Sequence, residues 1–237
     1  MNKPPARAVS TKVAAFLAKA KSLPVVRAGG GPGRLIFALD ATASREPMWE
    51  RARALQAEMF RAANEVGELE IQLAWYGGAG FFEATAFAAR PEPLLAAMRG
   101  VACAPGETQI ERVLDHAAAE TRRRKVAALV FVGDALEESL DLLARRAGAL
   151  GLLGLPCFMF LEGRDEVARA GFERIARLSG GAFAPFDAAS PQTLRDLLSA
   201  VATFAAGGRP ALEDFSRRHG GGPVALLASQ LGRPRGA

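Results

Sequence analysis

Residues 35–44 read Leu35-Ile-Phe-Ala-Leu39-Asp40-Ala-Thr42-Ala-Ser44: five apolar residues, then at once three oxygen-bearing side chains at alternate positions. The apolar run is short and unbroken, as in a strand covered on both faces; a strand with one wet face would alternate. Beyond it, Met48, Ala52, Leu55, Met59, Ala62 and Val66 recur at alternating spacings of four and three, with Glu50, Arg53, Arg61 and Glu65 on the other side. That periodicity predicts a helix over 48–66 with one apolar face.

The alternation of strand and helix continues. Two strands over 70–76 and 81–87 are joined by Gly77-Gly78-Ala79-Gly80, a hairpin signal. Helices follow over 91–99 and 107–123, then a buried strand over 126–132, a helix over 137–150, a strand over 156–161, a helix over 165–178, a strand over 181–186 and a helix over 191–206. One hairpin within an otherwise alternating order predicts an α/β fold. It is a doubly wound, mostly parallel sheet with one antiparallel edge strand and helices on both faces, Rossmann-like in layout. In such sheets ligands bind beyond the carboxyl ends of the strands, where the strand order reverses. The residues just after Leu39 and Val132 therefore carry the interest, and they are Asp40 and Gly133-Asp134.

The 237 residues are 50% hydrophobic and 23% charged, which excludes a disordered chain and suits a packed core. No apolar run approaches the roughly 18–20 residues of a membrane span, and the basic start lacks the apolar core of a secretory leader. Two cysteines, Cys103 and Cys157, are too few for a disulfide framework or a tetrahedral zinc site, so a cytoplasmic location is expected. The net charge of +5 is unevenly spread: residues 1–34 carry +7, residues 207–237 carry +3, and the residues between carry −5. Three regions follow: a basic segment 1–33 with a short helix over 11–22 and the glycine-rich linker 28–33, a domain 34–206, and a basic tail 207–237. The linker lacks the Gly-Lys-Ser/Thr of a phosphate-binding loop. Within the tail, the apolar stretch 223–231 either docks back on the domain or binds a partner.

Asp40, Thr42 and Ser44 after the first strand, Thr108 in Gly106-Glu107-Thr108 before a helix, and Asp134 at a strand end gather two carboxylates and three hydroxyls at one crevice. These are hard oxygen donors, suited to Mg²⁺ or Mn²⁺, and no sulfur or imidazole accompanies them to favour zinc. Taken alone, Asp40, Thr42 and Ser44 could instead cap the helix that follows.

Asp40-Ala-Thr42-Ala-Ser44, Gly106-Glu107-Thr108 and Phe131-Val-Gly-Asp134 together resemble the von Willebrand factor A-type (VWA) domain with its metal-ion-dependent adhesion site (MIDAS). Leu178-Ser-Gly-Gly-Ala-Phe183 is similar to that family's turn into its last strand. The resemblance spans 34–206. It implies that Thr42 and Ser44 ligate a metal through their hydroxyls and Thr108 does so in at least one state. Asp40 and Asp134 would bind the metal directly or through water. It further implies a non-enzymatic interaction module whose metal takes an Asp or Glu from a protein partner. Bacterial members work beside AAA+ ATPases such as MoxR-like proteins. The chain departs from the family in Thr42, where serine is commoner, and in Gly133-Asp134-Ala135, where Thr-Asp-Gly is frequent. Alanine richness and Arg-over-Lys usage match a G+C-rich bacterium.

Two other functions are compatible with parts of the sequence. Basic ends could bind nucleic acid, with strong salt dependence. A metal-dependent phosphohydrolase would use Asp40 as nucleophile, but such enzymes resemble Asp-x-Asp and place a lysine downstream, whereas Lys125 precedes a strand. His116 and His219 fall in a helix and a tail, which does not support a catalytic triad. The run Arg122-Arg123-Arg124-Lys125 sits at a helix end, where cations suit the dipole.

Overall fold

The first apolar run forms the centre of the sheet. The computed structural model describes residues 32–43, 69–78, 80–186, 191–219 and 222–231. Six strands occur among them: β1 (Gly33–Asp40), β2 (Leu69–Gly77), β3 (Phe81–Ala84), β4 (Ala128–Gly133), β5 (Cys157–Glu162) and β6 (Ala182–Phe186). They pair in the order β3-β2-β1-β4-β5-β6, antiparallel only between β2 and β3. This is the doubly wound, mostly parallel α/β sheet expected. The helices expected over 11–22 and 48–66, and the linker up to residue 31, lie outside the described residues.

Six helices occur among the described residues: α1 (Pro91–Gly100), α2 (Ile110–Arg123), α3 (Leu140–Leu152), α4 (Glu166–Ser179), α5 (Pro191–His219) and α6 (Pro223–Gln230). Alternate residues of each central strand enter separate cores. Leu35, Phe37, Leu39, Trp75, Val130 and Phe160 pack with α1, α5 and α6. Ile36, Ala38, Tyr76, Phe131 and Met159 pack with α2, α3 and α4. Because both cores exclude water, the strands need apolar residues at every position, which is why the runs are unbroken.

Two helices begin later than expected, α2 at Ile110 instead of residue 107 and α3 at Leu140 instead of 137. Glu137 and Glu138 are the reason. They lie ahead of their own helix and turn their carboxylates to the N-terminus of α2. The last helix runs past residue 206 to His219, bending at Gly208, whose φ of 70° is left-handed. After it α6 returns to the domain: Val224, Leu227 and Leu231 are buried in the core of the α1 side. The amide of Gln230 completes the docking. Its Oε1 accepts the Phe183 N–H at 2.7 Å and its Nε2 donates to the Phe183 carbonyl at 2.8 Å. A side chain thus supplies one rung of pairing to edge strand β6, whose open N–H and C=O groups would otherwise invite another chain. Of the two outcomes open for 223–231, docking is the one observed.

The basic run after α2 is engaged within the fold. Arg123 pairs with Glu120 at 3.0 Å and Arg124 with Glu70 at 2.9 Å. Lys125 donates to the Leu153 and Gly154 carbonyls, closing the C-terminal end of α3. Buried Arg34 donates to the Arg124 carbonyl at 2.6 Å and to Glu120 at 3.1 Å, with its guanidinium 3.6 Å from the Phe87 ring centre. Among the described residues, no helix is long and apolar enough to cross a membrane.

His116 of α2 faces the sheet, its Nε2 2.8 Å from Gln72 Oε1, while Gln72 Nε2 donates to the Thr85 carbonyl. Burial lowers its pKa; Glu120 pulls it up and Arg123 pushes it further down. The folded protein therefore takes up this proton less readily than the unfolded chain, and stability falls as pH drops through the ordinary histidine range. Urea midpoints measured from about pH 7.5 down to about 5.5 should decrease, and His116→Gln should flatten that decrease.

Candidate metal centre

β1 lies between β2 and β4, so the strand order reverses at the β1–β4 boundary. Leu39 pairs with Val132, which places Asp40 level with Gly133 and one residue from Asp134, on strands about 4.8 Å apart. Asp40 is 1% exposed and both of its oxygens are engaged. Oδ1 accepts the Thr42 N–H at 2.7 Å, the local bond that makes aspartate suit such turns, and Oδ2 accepts the Tyr76 hydroxyl at 3.1 Å. Tyr76 stands opposite Asp40 in the β1–β2 register. Its ring stacks on Phe131 with centres 6.2 Å apart, and Phe131 meets Phe172 edge-on at 5.4 Å. The aromatic stack fixes the hydroxyl, and the hydroxyl fixes the carboxylate.

Thr42, also buried, forms an isolated parallel bridge with Ala104. The neighbouring backbone bonds run Ala41 N–H to Tyr76 O (2.8 Å), Ala104 N–H to Ala41 O (3.1 Å) and Gly78 N–H to Ala104 O (3.2 Å). Glycines permit this close layering. A Cβ at Gly77 would lie 2.8 Å from the Ala41 carbonyl oxygen, and one at Gly106 would lie 2.8 Å from Gly78 Cα. Three backbone segments therefore stack at the carboxyl edge, and the third carries Thr108 toward the crevice.

Thr108 is buried at the start of α2. Its N–H donates to Glu137 Oε2 at 2.9 Å, and its Oγ1 accepts the Glu137 N–H at 3.1 Å. Glu138 accepts the next two free N–H groups of the helix, from Ile110 at 2.8 Å and Glu111 at 2.7 Å. Carboxylates from the β4–α3 connection thus satisfy the donors that a helix start leaves open, at the positive end of its dipole. Ser139, not Asp134, precedes the first residue of α3, so Asp134 does not cap that helix.

Asp134 Oδ1 is buried and has no hydrogen-bond partner. A buried carboxylate oxygen with no donor costs about 1–3 kcal/mol or more, and a cation is the partner that would offset this. The donor set fits a hard divalent ion. No group of three or more His, Cys, Asp or Glu that could hold a metal occurs among the described residues, so hydroxyl and water oxygens would complete the shell. Cys103 packs instead toward the core of the α1 side. Buried Cys157 has its thiol pushed up to about 12 by burial and is inert. Of the residues expected from the sequence, Asp40, Thr42, Thr108 and Asp134 lie on the segments at this edge; Ser44 lies outside the described residues. Tyr76 and Glu137 were missed, because nothing local in sequence marks a side chain whose partner lies about thirty residues away.

No protein-family model matches the sequence, and none of the curated proteins is similar to it. Solved structures are similar in fold. BatB, a conserved hypothetical protein of Bacteroides thetaiotaomicron, superposes with a TM-score of 0.56 at 16% identity, over 73% of this chain and 99% of that one. The VWA domain of SpRpn10 gives 0.57 at 13% identity, over 71% and 94%. Proximal thread matrix protein 1 of the mussel byssus, with zinc in its MIDAS motif, gives 0.57 at 13% identity, over 73% of this chain and 46% of that one. With its reversed strand order and single antiparallel edge strand, the chain has the fold of a von Willebrand factor A-type domain.

Proposed function

We propose that the protein binds a divalent cation, Mg²⁺ or Mn²⁺, through Asp40, Thr42, Ser44, Thr108 and Asp134, and uses it to capture an Asp or Glu side chain of a protein partner. The observation that carries this is the buried, unpartnered Asp134 Oδ1, one residue beyond the strand position level with Asp40. When bound, the cation supplies a Lewis-acid centre with a coordination position left for an incoming carboxylate. The protein's own part is orientation. Tyr76 and the Thr42 N–H hold Asp40, and the glycine-layered backbone holds Thr108. Neutral hydroxyls in place of further carboxylates leave the ion a stronger Lewis acid than an all-carboxylate shell would, which favours an incoming carboxylate. A fold similar to that of a mussel protein with zinc in its MIDAS motif supports the same reading. A cytoplasmic role beside a MoxR-like AAA+ ATPase is the finer expectation, supported by the sequence resemblance.

A binding module is favoured over an enzyme. His116 is engaged with Gln72, and Lys125, the lysine a phosphohydrolase would need, is bound to the end of α3 and precedes β4, whereas the crevice follows it. Within 207–237, Arg209 pairs with Glu213 and Arg217 and Arg218 with Asp214, so these three arginines are held in intramolecular ion pairs. The test is binding of the full chain to a panel of Asp- and Glu-containing peptides and their Asn and Gln counterparts. Binding should require Mg²⁺ and the acidic residue, vanish with EDTA and change little with salt. Binding that survives EDTA, or steep salt-dependent binding to RNA alone, would contradict it. So would turnover of a phosphate ester that Asp40→Asn abolishes.

A further inference from the structure

We infer that Glu137 is a positioning residue of this cation site, its carboxylate holding the Thr108 backbone so that the main-chain N–H of residue 137 can hold the Thr108 hydroxyl; the inference rests on the cation-binding function proposed above. Glu137 and Glu138 are adjacent, and both reach the start of α2, but they do different things there. Glu138 spends both oxygens on the N–H groups of Ile110 and Glu111, which lie inside the helix and bear no ligand candidate. Glu137 closes a ring with Thr108 alone: Thr108 N–H to Glu137 Oε2, and Glu137 N–H to Thr108 Oγ1. One bond fixes the backbone of Thr108 and the other fixes its side-chain rotamer. A hydroxyl oxygen has two acceptor sites, so Oγ1 keeps a lone pair after accepting the Glu137 N–H. Glu137 also lies three residues after Asp134, so the same ring ties the segment bearing the unpartnered carboxylate to the segment bearing the hydroxyl.

Helix capping alone does not account for this arrangement. Glu137 is exposed, and water could satisfy the Thr108 N–H if the carboxylate were absent. What water cannot do is hold the two segments at a fixed spacing. Groups that orient ligands from behind alter metal affinity by about 10–100-fold when removed, and preorganisation of this kind is what a hydroxyl ligand, weak by itself, requires.

Wild type, Glu137→Ala, Glu137→Gln and Glu138→Ala are compared as full chains in two measurements: amide hydrogen exchange without metal, and calorimetric titration with Mg²⁺. Glu137→Ala should speed exchange at Thr108 and weaken Mg²⁺ by about tenfold or more. Glu137→Gln, which keeps an acceptor oxygen, should restore most of both. Glu138→Ala should speed exchange at Ile110 and Glu111 and lower the urea midpoint, yet leave Mg²⁺ affinity within about twofold. Equal loss of Mg²⁺ affinity in the two alanine variants, or no rescue by Gln, overturns the inference while leaving the cation site standing. A wild type that takes up no Mg²⁺ overturns both.

Discussion

Gly181→Ala should destabilise the protein by about 3 kcal/mol or more, above the usual range for a single added methyl group. Gly181 stands between the end of α4 and the start of β6. A Cβ there would fall on the carbonyl oxygen of Cys157 and within 2.6 Å of its amide nitrogen. These are backbone atoms of β5, paired on one side with β4 and on the other with β6, and they cannot turn aside as a flexible side chain could. The Cys157 N–H also donates to Ser179 Oγ at 3.0 Å, and that hydroxyl donates to the Ala176 carbonyl, so helix end and strand are joined at this point. Gly180 provides the control. Its φ of 77° is left-handed and caps α4, but a Cβ there meets nothing within 4 Å, so Gly180→Ala should cost only about 1 kcal/mol. Urea denaturation of both variants measures the difference, and a Gly181→Ala midpoint no lower than that of Gly180→Ala would contradict the close approach.

The pair Gly180-Gly181 shows how far the sequence could be read. Its place before the last strand was legible, whereas the reason for two glycines, one for torsion and one for contact, needed the packing of β6 on β5. The unbroken apolar runs of β1, β4 and β5 gave the buried parallel sheet correctly, because burial on both faces leaves no other composition. Helix starts were less legible. The helices expected over 107–123 and 137–150 are present as α2 and α3, but Glu137 and Glu138 serve a different helix from the one they precede. The expected strand 81–87 stops at Ala84: the Thr85 N–H still donates to the Leu73 carbonyl, but its hydroxyl, not its carbonyl, accepts the Leu73 N–H, and the next bridge is at Ala88. The helix expected to close the domain at 206 continues as α5 to His219, bending at Gly208, and α6 returns to cover β6. Asp40, Thr42 and Asp134 were identifiable from their place after strands at the reversal of strand order. Tyr76 was not, since its hydroxyl could be assigned to Asp40 only once the β1–β2 register was known.

Asp134→Ala should have opposite effects on binding and on folding. Removing the carboxylate should weaken Mg²⁺ at least a hundredfold, because it deletes one of two acidic groups at a site otherwise made of neutral oxygens. In metal-free protein the same change removes a buried oxygen that has no donor. Stability should then hold steady or rise by about 1 kcal/mol, where a purely structural aspartate would lose stability on truncation. The contrast with Asp40→Ala is informative, because Asp40 accepts from Thr42 and Tyr76 and its removal deletes both bonds. That variant should lose both the cation and stability.

The most direct test is calorimetric titration of Mg²⁺ and Mn²⁺ into the full chain, with and without acetate as a stand-in for the partner's carboxylate, repeated on Asp134→Ala and Thr108→Ala. The expected result is one saturable site in wild type, tightened by acetate, absent in Asp134→Ala and weakened in Thr108→Ala. No heat from either cation at millimolar concentration, even with acetate present, or uptake that Asp134→Ala leaves unchanged, would contradict the assignment of a cation to this crevice.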